Sequence, residues 1–179
     1  NSGILNKSPA TFSMDKLLWF NKYYLDQMSI DQLMEVVALQ HFDGSEYSKT
    51  VMETIRDRCS TLNEFSTNAD YFFKDPEDYD SSLLLKHCKE DTFNHLSLLK
   101  EQLEALEIWE QTHIKGVIDS VVSDLDIGFG KIGLPLRLAL TATVNSPSID
   151  LVCEILGKEI TLRRLESFLT KIKNLKTDQ

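Results

Sequence analysis

The stretch IKGVIDSVVSDLDIGFGKIGLPLR, residues 114–137, decides the fold class, because a periodic half is followed by a glycine-rich half. Its apolar residues recur three and four positions apart: Ile114, Val117, Ile118, Val121, Val122 and Leu125. This spacing is typical of an amphipathic helix and not of the short continuous apolar run of a parallel strand. The glycines that come next, Gly128, Gly130 and Gly133, therefore follow a helix.

These glycines predict a loop between two helices. Gly128 and Gly130 have the position of helix stop signals, and Pro135 suits the first turn of the next helix, where its missing N–H costs nothing. A dinucleotide-binding loop would instead close a buried strand and present a helix N-terminus to a pyrophosphate. The pattern therefore favours a flexible connection from Gly128 to Gly133 over a nucleotide cradle.

Helix start and stop signals continue along most of the chain. Ser13 is placed to cap one helix, and Ser29–Gln32 and Thr61–Glu64 have capping-box spacing before further apolar stripes. A helix over Ile149–Leu156 is predicted to end at Gly157. Sustained period-two alternation, the pattern of half-buried strands, occurs nowhere in the sequence. The sequence therefore predicts an all-α fold of two packed helical lobes.

The acidic stretch KDPEDYDS, residues 74–81, is the best candidate for a boundary between the lobes. We expect the first lobe to end near Asp70, and the second to open with a helical region from Ser82 to Trp109, interrupted near Asp91. The carboxylates of the acidic stretch lack the spacing and the turn glycine of a calcium loop. A solvated linker is therefore expected there.

Composition and charge limit the function classes. The 179-residue chain has 42% hydrophobic residues and a formal net charge of -9, which suits a folded protein and disfavours a general binder of nucleic acid or membrane. Residues 131–176 differ, since they hold eight Lys or Arg against four Asp or Glu, and this quarter could face a polyanion. Three cysteines without C-x-x-C spacing fit a reducing compartment. No apolar run in the sequence approaches the length of a membrane span. The start NSGILNKSPATF lacks the apolar core of a signal peptide and suggests the middle of a longer protein.

Catalytic chemistry has little support in the sequence. His87, Cys88 and His95 could form a metal site or a nucleophile pair, but they lie in a helical region without the further ligands or carboxylate that such sites need. Ordinary helical side chains are the better interpretation. We therefore expect neither a catalytic centre nor a metal site in this chain.

Arginines beside helix ends give better support for recognition. Arg56 and Arg58 end one helix directly before the capping box at Thr61, where a guanidinium could read a base edge or hold a phosphate. Arg137 stands in the first turn of a helix that leads to the polar loop 143–148. Such loops bind unstacked bases, although dipole-complementing arginines and ordinary helix connections have the same pattern.

Three segments, in this order, resemble the C-terminal anticodon-binding half of bacterial-type glutamyl-tRNA synthetases. They are SPATFSMDKLLWFNKYYL (8–25), RDRCSTLNEF (56–65) and KIGLPLRLALTATVNSPSIDLVCEILGKEITLRRLESFL (131–169). The last is the most specific, with its P-L-R-x-A-L-T core, its S-P turn and its L-G-K-E followed by R-x-L. The family usually has a glycine after the A-L-T, where this chain has Ala142. It often has a glycine after the S-P turn, where this chain has Ser148.

The resemblance implies an all-α anticodon-binding cage within a class I ligase that joins glutamate to its tRNA using ATP and Mg2+. Neither the H-I-G-H-type nor the K-M-S-K-S-type catalytic signature is in this sequence, so no cofactor is expected in this fragment. Residues 1–28 become the junction helix towards the catalytic part, 29–70 the first lobe and 71–179 the second. The implied partner is a glutamate-type tRNA and not a membrane. The implied protein is a monomer of the cytoplasm or of an organelle matrix.

The matching motifs also imply roles for individual residues. Arg58 is expected to read the third anticodon base, which is cytosine for glutamate and guanine for glutamine. Arg137 is expected to contact the first base, while Ser146, Pro147 and Ile149 pack around the neighbouring bases. Basic side chains are expected to hold the tRNA backbone, namely Arg56, Lys131, Lys158 and Arg164.

Two alternatives stay open at the level of sequence. One is a helical protein-interaction module whose acidic surface meets a basic partner, with arginines that are merely structural. The other is a relaxed synthetase that also charges glutamine tRNA, against which only Arg58 argues. RNA binding that requires a glutamate-type anticodon and weakens with salt would distinguish tRNA recognition from the first alternative.

Overall fold

The computed structural model describes residues 13–37 and 42–177, and these ranges contain ten α-helices and no β-strand. The helices are α1 (Met14–Gln27), α2 (Ile30–Val37), α3 (Glu46–Arg56), α4 (Leu62–Phe73), α5 (Ser81–His87), α6 (Thr92–Ala105), α7 (Gln111–Asp124), α8 (Gly130–Thr141), α9 (Ile149–Leu156) and α10 (Lys158–Thr177). The predicted all-α class is confirmed. Residues 1–12, the start of the predicted junction, lie outside the described residues.

Both predicted capping boxes form. The Glu64 N–H donates to Thr61 Oγ1 at 3.3 Å, and the Glu64 carboxylate accepts from the Thr61 N–H at 3.3 Å. At the start of α2, the Gln32 N–H donates to Ser29 Oγ at 3.2 Å, and Gln32 Oε1 accepts from the Ser29 N–H at 2.8 Å. Each box satisfies backbone donors that have no partner inside the helix. Ser13 precedes α1 as predicted, but its side chain makes no capping bond.

The connection between α7 and α8 differs from the prediction. Asp126, with φ +51°, takes the left-handed position that ends α7, and its N–H donates to the Ser123 carbonyl at 3.0 Å. Asp126, and not Gly128 or Gly130, therefore provides the left-handed residue that ends α7. Gly130 opens α8 instead of stopping a helix, and Pro135 is its sixth residue, beyond the first turn. A Cβ at Gly133 would overlap the Phe129 ring, so a larger residue there would require this half-exposed ring to shift.

Most of the remaining helix boundaries lie near the start and stop signals of the sequence. The helical region that begins at Ser81 is interrupted near Asp91, as predicted, and is thereby split into α5 and α6. Asp91 is the N-cap of α6, and α6 ends at Ala105 and not near Trp109. Helix α9 has the predicted bounds, and Gly157 follows it with φ +80°. Residues 75–80 form the predicted connection between α4 and α5.

Helix α8 is the central element. Its residues from Ile132 onward are almost all buried, and it packs against α4, α5, α6, α7, α9 and α10. All ten helices contribute to one continuous apolar core, in which Phe65 of α4 and Phe168 of α10 are the largest fully buried side chains. The backbone position of each side chain on α8 is therefore fixed by packing against six other helices.

Candidate functional site

Arg58 lies just beyond the end of α3, in the short turn that leads to α4. Its backbone N–H donates to the Ile55 carbonyl at 2.9 Å, and the neighbouring Cys59 is fully buried, so the turn is anchored. The Arg58 side chain is exposed and reaches across to another part of the chain, where Nη2 donates to Asn145 Oδ1 at 2.6 Å. The predicted base reader thus meets the polar loop after α8.

Arg137 reaches the same loop from α8. Its Nη1 donates to the Ser146 carbonyl at 2.8 Å, to the Pro147 carbonyl at 2.5 Å and to the Ser146 hydroxyl. Burial lowers the pKa of this half-buried guanidinium, and the like charge of Arg58 lowers it further. Arginine stays protonated despite such shifts, so two positive charges lie close together at this loop.

The loop begins with a left-handed residue. Ala142 ends α8 with φ +53° and ψ +12°, a conformation that glycine adopts without the steric cost that a Cβ brings. This is one of the two positions where the resemblance predicted a glycine. The other, Ser148, has φ -54°, which any residue adopts. Only the first position therefore has a conformational reason for glycine.

The three loop residues expected to pack around bases are buried. Ser146 is 5% exposed and Ile149 is 1% exposed, and Pro147 is also buried. Their side chains face the protein, and the residues that this loop presents to solvent are Val144, Asn145 and Ser148. The predicted loop is therefore at the surface, but its accessible side chains are not the predicted ones.

A polar groove of about 770 Å³ adjoins the loop. Its lining includes Asn68 and Tyr71 of α4, Lys74, Thr143 and Asn145, together with the carboxylates of the acidic connection. Its volume is in the range of sites for small ligands. Carboxylates accept hydrogen bonds from amino groups and repel phosphates, so the groove suits a base edge better than an RNA backbone.

Tyr71 places an unpaired hydroxyl beside this site. The residue is 8% exposed, and among the described residues its hydroxyl has no hydrogen-bond partner. Burial raises the pKa of Tyr71 to about 12, against the opposing effect of the Arg58 and Arg137 charges. The hydroxyl is therefore neutral at physiological pH and lies near both guanidinium groups.

The basic residues expected at the tRNA backbone divide into one exposed cation and three structural ones. Lys131 is exposed at the start of α8. Arg56 Nη2 donates to the carbonyls of Leu25, Asp26 and Met28 at 2.6 to 3.0 Å and so caps the C-terminus of α1. Lys158 Nζ does the same for α6, at 2.7 Å from each of two carbonyls.

Arg164 is the clearest correction. It is 4% exposed, and its guanidinium donates to the carbonyls of Tyr71, Lys74 and Leu140 and to the Asp75 carboxylate, at 2.6 to 2.9 Å. A phosphate cannot approach a group enclosed in this way. The positive charge that residues 131–176 offer to a polyanion is therefore smaller than their composition indicates.

Among residues 13–37 and 42–177, His, Cys, Asp and Glu side chains nowhere gather in a group of three or more that could hold a metal ion. In the same part of the chain, none of the helices has the length and apolarity needed to cross a bilayer.

Asn145 and Tyr71 are the site residues that the sequence did not indicate. Asn145 was predicted only as part of a polar loop, and Tyr71 was not singled out by any prediction. Asn145 accepts a hydrogen bond from Arg58, 87 positions away in sequence, and Tyr71 lies near enough to Arg58 and Arg137 for their charges to act on its pKa. No local pattern in the sequence signals such long-range proximity.

Comparison with known proteins identifies relatives over most of the chain. A family model described as an anticodon binding domain matches residues 24–169. A curated glutamate–tRNA ligase of Ruthia magnifica subsp. Calyptogena magnifica is 35% identical over 168 residues, which cover 90% of this chain and 37% of that protein. The chain thus spans well under half the length of this relative.

Solved structures show the same similarity. A crystal structure of a glutamate tRNA ligase from Elizabethkingia meningosepticum CCUG26117, in complex with its amino acid, has a TM-score of 0.77 at 25% identity. A glutamate-tRNA synthetase from Elizabethkingia anophelis has a TM-score of 0.74 at 23% identity, a likeness of fold alone. Each match covers 89% of this chain and 32% of the other.

Proposed function

The chain belongs to the anticodon binding domain family, and from this membership we propose that it recognises the anticodon of a glutamate-type tRNA. The observation that carries the proposal is the convergence of Arg58 and Arg137 on residues 145–147. The two arginines come from different parts of the sequence and meet at one exposed polar loop. Such a loop can receive unstacked bases.

Arg58 supplies chemistry that separates cytosine from guanine. The Watson–Crick edge of an unpaired cytosine presents O2 and N3 as acceptors, which match guanidinium donors. Guanine presents its N1–H and its amino group on the same edge, so donors would face donors. An exposed Arg58 beside the groove therefore selects cytosine at the third anticodon position, which argues against a relaxed enzyme that also charges glutamine tRNA.

The proposed parent protein is a glutamate–tRNA ligase. In it, ATP and Mg2+ serve the catalytic part, and this domain contributes tRNA recognition without chemistry of its own. We further propose that the parent acts as a monomer in the cytoplasm or in an organelle matrix. The length of the curated relative, of which this chain covers 37%, supports a parent with further domains.

The proposed domain organisation keeps residues 1–28 as the junction with the rest of that parent, 29–70 as the first lobe and 71–179 as the second. Exposed aromatic side chains on α1 support a junction. Trp19, Phe20, Tyr23 and Tyr24 are each more than half exposed. An apolar surface of this kind marks contacts with other protein more often than free surface.

Binding to two anticodon stem-loop RNAs tests the proposal. The RNAs are identical except for C or G at the third anticodon position, and the chain is expected to prefer C. Arg58→Gln should reduce this preference by about 1 to 3 kcal/mol, the usual value of a good base contact. Lys131→Gln is the matched contrast and should weaken binding of both RNAs alike. Equal binding of both RNAs by the unaltered chain would refute the proposed specificity, and salt-insensitive or absent binding would favour the protein-interaction alternative.

A further inference from the structure

We propose that Asn145 is a positioning residue for third-base selection: it holds the Arg58 guanidinium in the orientation that reads the base. This inference rests on the proposed function of Arg58, and it names Asn145 as the residue that orients the Arg58 side chain for that function. Its basis is the bond from Arg58 Nη2 to Asn145 Oδ1, at 2.6 Å, which joins residues 87 positions apart in sequence.

Asn145 can position another side chain because its own backbone is held on both sides. The Asn145 N–H donates to Thr143 Oγ1 at 3.1 Å, and the Thr143 N–H donates to Thr141 Oγ1 at 3.4 Å. On the other side, the carbonyls of Ser146 and Pro147 accept from Arg137. The Asn145 amide is thus a short side chain on a fixed support.

Arg58 needs such a support. Its side chain is long and exposed, and in the absence of a contact it would lose much rotational freedom on binding a base. A guanidinium has five N–H donors, and Asn145 accepts from only one nitrogen. The remaining donors keep their fixed planar geometry and stay oriented for a partner. Asn145 therefore orients Arg58 without neutralising its charge.

The same three consecutive residues support both arginines. Residue 145 accepts from Arg58, and residues 146 and 147 accept from Arg137. A change at Asn145 is therefore expected to act on third-base selection through Arg58, while the bonds of Arg137 stay in place.

The experiment uses the same two stem-loop RNAs and the complete chain. Asn145→Ala should reduce the preference for C over G about tenfold, the effect of losing one charge-assisted hydrogen bond. Asn145→Asp keeps an acceptor and should retain the preference, while its added negative charge weakens binding of both RNAs. Asn94→Ala, at an exposed position on α6, is the matched control and should change neither quantity. An unchanged preference in Asn145→Ala would overturn the inference.

A double substitution separates positioning from a general effect on the loop. If Asn145 acts through Arg58, Arg58→Gln combined with Asn145→Ala should have the same C-to-G preference as Arg58→Gln alone. Additive losses would overturn the inference. If Arg58→Gln abolishes the preference and Asn145→Ala does not, only the positioning role fails. If Arg58→Gln leaves the preference intact, the proposed base reader fails as well.

A measurement without RNA tests the contact itself. In NMR spectra of the free chain, rotation of the Arg58 guanidinium should be hindered, and Asn145→Ala should release it. Identical guanidinium signals in both proteins would contradict the positioning role even if RNA binding changes.

Discussion

Arg164 Nη1 lies 2.6 Å from the carbonyl oxygen of Tyr71, at a point where the last helix meets the end of α4. The same guanidinium donates to the carbonyls of Leu140 and Lys74 and to the Asp75 carboxylate. One buried cation therefore joins α4, α8, α10 and the acidic connection. The groove beside the proposed base reader depends on these bonds, because α4 and α8 contribute to its walls.

Replacement of Arg164 by methionine is expected to destabilise the fold by about 3 kcal/mol or more, because two buried carbonyls and one partly buried carbonyl lose their donor and Asp75 loses one of its two arginine partners. Urea unfolding measures the loss. Arg163→Met is the matched control, since Arg163 is exposed and pairs with the same Asp75 at the surface, where such a pair contributes at most about 1 kcal/mol. Similar losses for both variants would contradict the structural role of Arg164.

Ala142→Gly is expected to stabilise the protein by about 0.5 to 1 kcal/mol. The left-handed conformation at φ +53° costs alanine more than the extra freedom of glycine costs in the unfolded chain. Ser148→Gly should have the opposite sign, because φ -54° gives glycine no advantage there. Thermal unfolding of the two variants checks this contrast, and a lower melting temperature for Ala142→Gly would refute it.

Tyr71→Phe is expected to raise stability at neutral pH by about 1 kcal/mol, because it removes a buried hydroxyl that lacks a partner. Tyr47→Phe is the control, and it should lower stability, since the Tyr47 hydroxyl donates to the Phe72 carbonyl at 2.8 Å. A loss of stability in Tyr71→Phe would mean that the hydroxyl has a partner in solution.

The raised pKa of Tyr71 also predicts a dependence on alkaline pH. The unfolded side chain ionises near pH 10 and the folded one near pH 12, so the folded state retains the proton over that interval. Ionisation of Tyr71 thus leaves the free energy of unfolding unchanged below pH 10 and lowers it as the pH rises from about 10 to about 12. The free energy of unfolding, measured from pH 10 to pH 12, should fall less steeply in Tyr71→Phe than in the unaltered chain.

Lys131→Ala is expected to weaken RNA binding without changing the preference for a base. One lost phosphate contact reduces the slope of log affinity against log salt by about 0.7 to 0.9. The control is Lys115→Ala, because the Lys115 ammonium is already paired with Asp119. Titrations at several salt concentrations measure both slopes, and an unchanged slope for Lys131→Ala would exclude a phosphate contact there.

Local signals predicted most helix boundaries because those boundaries are set by neighbouring residues. The capping boxes at Thr61 and Ser29 satisfy backbone groups within three residues, and Gly157 ends α9 by its own backbone freedom. The connection after α7 was predicted less well. Asp126 took the left-handed position, since aspartate tolerates it, and α8 could then begin at Gly130.

The site was predicted less completely than the fold. The sequence indicated Arg58, Arg137 and their loop, but charge alone does not reveal whether a basic side chain faces solvent or a buried carbonyl. Arg164 finds its partners at Tyr71 and Lys74, about 90 positions away in sequence. Such contacts are decided by packing of the whole chain and not by composition.

The last residue of α3, Arg56, and the turn residue Arg58 extend their side chains in different directions. Arg56 binds the last carbonyls of α1, and Lys22 of α1 donates back to the Arg56 carbonyl at 3.2 Å, while Arg58 binds Asn145. These bonds join α1 to the end of α3, two residues before Arg58. A single residue, Asp57, separates the arginine bound to α1 from the arginine bound to Asn145. The position of the first helix and the orientation of the proposed base reader are therefore expected to depend on each other.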